Sequence, residues 1–182
     1  MTQRRLFTAA VLTAPWLARA QADPLAERLR TGGCVVLLRH AQTDPGVGDP
    51  PGFRVDVCSS QRNLSDEGKV QSRRIGQWFS AKGLKPGAVL SSAWCRCKDT
   101  ADLAFGQHAL WPALNSTFGG RERTAAQTTQ LRQAIARVPA GRFEVWVTHQ
   151  VNITHLTGEG MAMGEALVVD TQGKVIARST FA

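Results

Sequence analysis

The chain has 182 residues, 43% of them hydrophobic, with 22 Lys and Arg against 14 Asp and Glu for a formal charge of +8. Those figures suit a globular chain with one domain and a sizeable core. The positive charge comes without zinc-finger spacing and without a basic run interleaved with aromatics, which speaks against nucleic acid as a partner.

Residues 1–20 read as a cleavable signal peptide rather than as part of the fold. Arg4-Arg5 form a positive start, Leu6 to Leu17 an apolar stretch, and Ala18-Arg19-Ala20 a small-residue cleavage site. The stretch is short and carries Pro15, so it does not read as a membrane span. The adjacent arginines hint at a twin-arginine route, although Gln3 before them breaks the usual pattern. No later segment is apolar enough to anchor the mature chain, so a periplasmic or secreted protein is expected. Without Arg4, Arg5 and Arg19 the 22 basic residues become 19, and residues 21–182 carry +5. That balance suits phosphorylated substrates or an anionic surface.

The domain is expected over residues 21–182. A short helix from Pro24 to Arg30 precedes Gly32-Gly33 and an apolar strand, Cys34 to Leu38, that ends abruptly in Arg39-His40. The following DPGVGDPPGF segment, Asp44 to Phe53, is loop by composition and is placed to wall the strand end. Ser65 caps a predicted helix whose first turn holds Asp66 and Glu67 and which Gly83 ends. A strand at Ala88 to Leu90 leads to a helix from about Trp94 to Phe105, with Arg96 in its first turn, where backbone N–H groups favour an anion.

Residues His108 to Arg123 read as irregular. Thr124 and Gln127 have capping-box spacing, and Leu131, Ile135 and Val138 share one helical face. Phe143 to Val147 is a strand followed by Thr148-His149, and Ala166–Asp170 with Lys174–Arg178 reads as a closing hairpin. Strands alternating with helices predict a three-layer α/β/α sandwich around a mostly parallel sheet.

Three strand ends thus deliver Arg39-His40, Arg96 and His149, and open sheets of this kind bind ligands at that edge. Guanidinium forks suit phosphate oxygens, and a neutral imidazole is a nucleophile at physiological pH. The segments Arg39-His40-Ala41, Ser91-Ser92-x-x-x-Arg96-x-x-x-Thr100-Ala101 and Thr148-His149, with Leu64-Ser65-x-x-Gly68 between them, resemble the histidine phosphatase superfamily over roughly Cys34 to Asp170. Ala41 stands where the family usually has glycine. The resemblance implies a phosphoglycerate mutase-like fold and a phosphohistidine on His40. Arg39, Arg96 and His149 would hold the phosphoryl oxygens, with no metal and no other cofactor.

It also implies a general acid between Arg96 and His149. Glu122 fits that interval, with Asp44 and Glu165 in reserve, while Gln150 replaces the aspartate that some relatives carry after the second histidine. Gln42, Thr43 and Arg62 are candidate substrate contacts, although Arg62 also reads as a solvated loop residue. The expected partner is a small phosphomonoester, a sugar phosphate or an envelope glycolipid phosphate by location. Two other readings stay open: a phosphate-binding module without turnover, and a metal site from His149, His155, Cys95 and Cys97. Cys34 reads as a packed thiol, and Cys58 can bridge to Cys95 or Cys97 in an oxidising compartment.

Overall fold

The computed structural model describes residues 23–118 and 121–181, leaving the side chains of residues 121–123 aside. The predicted signal peptide lies outside the described residues. Among these, no helix is long and apolar enough to cross a membrane.

Six strands form one sheet: β1 (Cys34–Arg39), β2 (Ala88–Ser91), β3 (Ala109–Leu110), β4 (Phe143–Thr148), β5 (Ala166–Asp170) and β6 (Val175–Ser179). Their order is β3-β2-β4-β1-β5-β6. Pairs β1·β4, β2·β4 and β2·β3 run parallel, and β5 and β6 close the sheet antiparallel. The central strands β1 and β4 are buried on both faces, which is why β1 is a continuous apolar run and β4 is interrupted only by the half-buried Glu144 before its polar tip.

Helices cover both faces, as the sequence predicts. On one side α1 (Pro24–Thr31), α2 (Asp66–Ala81) and α3 (Cys95–Phe105) bury Leu29, Ile75, Phe79 and Ala101 against Val36, Leu38, Val145 and Val168. On the other, α4 (Arg121–Ile135) and α5 (Gln150–Thr157) pack Leu131, Ile135 and Ile153 on Val35, Leu37, Trp146 and Leu167. Asp23 caps α1 and Ser65 caps α2 through their side-chain oxygens.

Two glycines fix how close α2 lies to its neighbours. A Cβ on Gly68 would collide with the carbonyl of Gln42, and one on Gly76 with the carbonyl of Ala104 on α3. The Leu-Ser-x-x-Gly start therefore seats α2 directly behind the loop that leaves β1. Gly76→Ala is expected to lower stability by about 2–3 kcal/mol, read as a lower urea midpoint. Turnover per folded molecule should be unchanged, because that contact is remote from the strand ends.

Three local expectations need correction. The stretch from His108 is not wholly irregular: β3 adds a short edge strand and Pro112–Leu114 makes a 3₁₀ turn. Thr124 does not cap α4, because the helix already starts at Arg121. Gln127 instead ties α4 to that turn, donating through Nε2 to the carbonyls of Ala113 and Asn115 at 3.1 Å each. The last strand runs one residue later than expected, Val175–Ser179.

Candidate active site

The carboxyl ends of β1, β4 and β2 lie side by side, so the register that pairs Arg39 with Thr148 also sets His40 beside His149. The two imidazole centroids are 5.6 Å apart. Arg39, His40, Arg62, Arg96, His149 and Gln150 line one cavity of about 520 Å³. Its remaining walls include Gly46 to Asp49 and Phe53 of the Pro/Gly loop, together with Trp94, Ser116, Phe118 and Met163.

His40 is 3% exposed. Its Nδ1 lies 2.9 Å from the carbonyl oxygen of Ala41. A carbonyl only accepts, so Nδ1 carries the proton and Nε2 keeps its lone pair. The backbone N–H of Ala41 donates to Thr100 Oγ1 at 3.0 Å, which holds the turn with alanine in the family's glycine position. Burial drives the His40 pKa down to about 3, and the charges of Arg96, Arg39 and Arg62 push the same way against the Ala41 hydrogen bond. His149 is held well below the usual histidine value by burial first, then by His40 and the same arginines. Both rings are neutral at physiological pH.

His149 Nε2 lies 2.8 Å from Ser92 Oγ. The other acceptor near that hydroxyl, Asn115 Oδ1, is farther at 3.3 Å and already takes the Ala93 N–H at 2.8 Å. In the tautomer in which Ser92 donates to Nε2, His149 carries its proton on Nδ1. Cys97 packs 3.5 Å from the same nitrogen. Burial pushes its thiol up to about 12, so it remains an uncharged filler.

The three arginines are held differently. Arg39 donates to the Met161 carbonyl and to Gln150 Oε1. Arg62 donates to the Gly46 carbonyl at 2.7 Å. Arg96 forms a buried two-pronged pair with Asp49, Nη1–Oδ1 at 2.7 Å and Nη2–Oδ2 at 3.3 Å. Asp49 also accepts from Trp94 Nε1 at 3.0 Å and from the Arg62 backbone N–H at 3.1 Å. Burial alone would raise its pKa, but these four donors and the Arg96 charge hold its carboxyl below the usual range.

Each guanidinium still keeps a buried Nε–H without a partner among the described residues. Burial lowers the pKa of Arg39 and Arg62, and each is lowered further by the positive charge of Arg96 nearby. Three cations and one carboxylate leave the cavity net positive, which favours an anion there.

Of the candidate residues, the fold brings together Arg39, His40, Arg96, His149 and Arg62. Arg62 is a cavity wall rather than a solvated loop residue. Gln42 and Thr43 are left out. Gln42 is exposed beside the start of α2, and Thr43 is buried with its hydroxyl against Met163 Sδ at 3.6 Å. The Glu122 side chain lies outside the described residues.

Neither reserve acid lines the cavity. Asp44 is exposed, and Glu165 accepts from the Ala162 N–H at 2.7 Å and from Arg178 at 2.9 Å. The expected anion seat at the start of α3 is partly filled, since Gln61 Oε1 accepts the Cys95 N–H at 3.0 Å. Cys58 and Cys95 form a disulfide, and Cys34 and Cys97 are buried free thiols. With Cys95 in that bridge, the metal-ligand reading loses one of its four residues.

Sequence reasoning missed Asp49, Ser92, Trp94 and Gln150 as parts of the site. For Asp49 a signal existed: it is an acid set among Gly and Pro in the loop that follows a catalytic strand end.

The family model of the histidine phosphatase superfamily, branch 1, matches residues 35–163. The chain belongs to this superfamily. The matched segment contains every residue of the cavity. Its fold is that of the protein histidine phosphatase SixA in complex with tungstate, with TM-score 0.53, 14% identity, and coverage of 80% of this chain and 95% of that one. A SixA protein of Agrobacterium tumefaciens gives TM-score 0.55 at 21% identity, covering 81% and 97%. A 2,3-bisphosphoglycerate-dependent phosphoglycerate mutase of Corynebacterium diphtheriae is 32% identical over 74 residues, which is 41% of this chain. That match spans only 28% of the mutase's length.

Proposed function

We propose that this histidine phosphatase is an exported phosphomonoesterase acting through a phosphohistidine on His40 Nε2. One observation carries the reading: a neutral imidazole with a free lone pair faces a cavity lined by three guanidinium groups against a single carboxylate. A tetrahedral phosphoryl dianion complements that arrangement in charge and in number of acceptors.

In the first step Nε2 attacks phosphorus, the N–P bond forms as the ester P–O bond breaks, and the leaving oxygen takes up a proton. Arg39, Arg62, Arg96 and the Nδ1–H of His149 bear the charge on the non-bridging oxygens. In the second step water attacks the phosphohistidine, releasing inorganic phosphate and restoring the imidazole. The leaving oxygen's proton comes from Glu122 in this proposal, since Asp49 is ionised and engaged by Arg96. Glu122→Gln should therefore slow an alkyl phosphate, a poor leaving group, far more than p-nitrophenyl phosphate, a good one. The Cys58–Cys95 bridge supports an oxidising location.

The direct test is rapid acid-free quenching during hydrolysis of p-nitrophenyl phosphate in the presence of a chelator. A phosphoenzyme that is stable to alkali and labile to acid, mapped to His40, is the expected result. Turnover that the chelator abolishes, with no such species, would overturn the proposal.

A further inference from the structure

Asp49 is the one carboxylate that lines the catalytic cavity among the described residues. It enters from the Pro/Gly loop that follows β1, with its side chain 7% exposed. Both of its oxygens are fully engaged. Oδ1 accepts from Arg96 Nη1 at 2.7 Å and from the Arg62 backbone N–H at 3.1 Å. Oδ2 accepts from Trp94 Nε1 at 3.0 Å and from Arg96 Nη2 at 3.3 Å. All four partners are N–H donors, and all belong to residues of the cavity wall. An ionised carboxylate offers about four acceptor sites and no donor, so it is the side chain that satisfies such a set.

These partners shape the seat of the phosphoryl group. Asp49 grips Arg96 end-on across both terminal nitrogens, which fixes the plane of the guanidinium. The same loop holds Arg62 twice, its backbone N–H through Asp49 and its Nη1 through the Gly46 carbonyl at 2.7 Å. The Arg62 carbonyl in turn accepts from Arg96 Nη1 at 3.4 Å, so the two arginines and the carboxylate brace one another. Trp94, pinned through Nε1, stands edge-on to His149 with ring centroids 5.4 Å apart.

We infer that Asp49 is a positioning residue of the phosphatase reaction: it touches no substrate, and it orients Arg96, Arg62 and Trp94 toward the transferring phosphoryl group while weakening their hold on free phosphate. The inference rests on the phosphomonoesterase reading above. Its two effects separate in experiment. Orientation acts on the transition state, where a misplacement of about 1 Å costs about 10²-fold in rate. The negative charge of Asp49 acts on every anion in the cavity, product included.

The test measures kcat for p-nitrophenyl phosphate and, separately, the Kd of inorganic phosphate by calorimetry, in the wild type, Asp49→Asn and Trp94→Phe. Each value is corrected for the folded fraction. The Asn amide sets its own two N–H groups against partners that are all donors, so the seat is misaligned and also more positive. In Asp49→Asn kcat should fall about 10²-fold, while phosphate binds at least as tightly as in the wild type. A residue that only supported the fold would change the folded fraction and leave both quantities of the folded molecules alone. Trp94→Phe keeps a ring beside His149, removes one donor and leaves no charge unpaired, so it reports even where the Asn variant fails to fold. It should lose about fivefold in kcat, the effect of one hydrogen bond, with phosphate affinity unchanged.

Either variant turning over at the wild-type rate would overturn the inference while leaving the phosphatase reading intact. So would a loss of phosphate affinity as large as the loss in kcat, which would make Asp49 a builder of the ground-state seat alone. A wild type that fails to hydrolyse p-nitrophenyl phosphate would overturn the phosphatase reading and this one with it.

Discussion

His40→Ala is expected to abolish phosphatase turnover, with kcat falling by about 10⁴–10⁶, the range seen when a nucleophile that works as one unit with its neighbours is removed. Its neighbours are poorly placed to substitute: His149 Nε2 is hydrogen-bonded to Ser92, and the Cys97 thiol stays protonated. Residual hydrolysis within tenfold of wild type, with intact folding, would remove His40 from the mechanism.

The same variant has a second, opposite signature in stability. In the native protein His40 stays neutral down to about pH 3, while in the unfolded chain it takes up a proton near pH 6.5. Below the unfolded value the unfolded state therefore binds more protons, and lowering the pH favours unfolding. The stability that His40 contributes is complete above pH 6.5 and is lost progressively toward pH 3. Between pH 7 and pH 4.5 this amounts to about 2–3 kcal/mol, which His40→Ala does not lose. Urea midpoints at the two pH values measure it. Equal acid sensitivity in the two proteins would contradict a buried neutral histidine.

The Asp49–Arg96 pair predicts the largest stability effect. Side chains that are 7% and 5% exposed cannot rely on water if one partner is removed. Asp49→Ala leaves a buried guanidinium and Arg96→Met a buried carboxylate, and each should lose about 3–5 kcal/mol. The double variant Asp49→Leu/Arg96→Met removes both charges and should regain most of that loss, a coupling that a double-mutant cycle reads directly. Its turnover should nevertheless stay at least about 10²-fold below wild type, because a donor to the phosphoryl oxygens is gone. Strictly additive losses in the cycle would show that the two groups do not depend on each other.

The parts of this molecule legible in the sequence are those whose cause is local. The buried run Cys34–Leu38 ending in Arg39-His40, and Phe143–Val147 ending in Thr148-His149, each declare a strand and its polar tip within a few residues. The Ser65 cap is equally local. What escaped was determined by distant partners. Asp49 acquires its role from an arginine 47 positions away, across a loop with no periodicity to read. Gln150 was weighed only as the absence of an aspartate, yet its Oε1 accepts from Arg39 and from the Met161 N–H. Glu165 illustrates the reverse. It stood in reserve as a general acid, and Arg178 on β6 claims it for structure. The Thr124 motif had correct spacing but was overridden by a helix that begins three residues earlier.

The bridge between Cys58 and Cys95 closes a separation of 37 residues. Within that span lies Arg62, and just beyond it Arg96, so a single covalent clasp yokes two of the three cations that await the phosphoryl group. Cross-linking over such a span removes about 4 kcal/mol of chain entropy from the unfolded ensemble. A molecule whose thiols are still reduced lacks that restraint and must hold its mutually repelling arginines by weaker forces. Under the export proposed above, oxidation would be coupled to assembly of the anion seat, and a precursor kept reduced before crossing a membrane would be the less competent form toward phosphate esters.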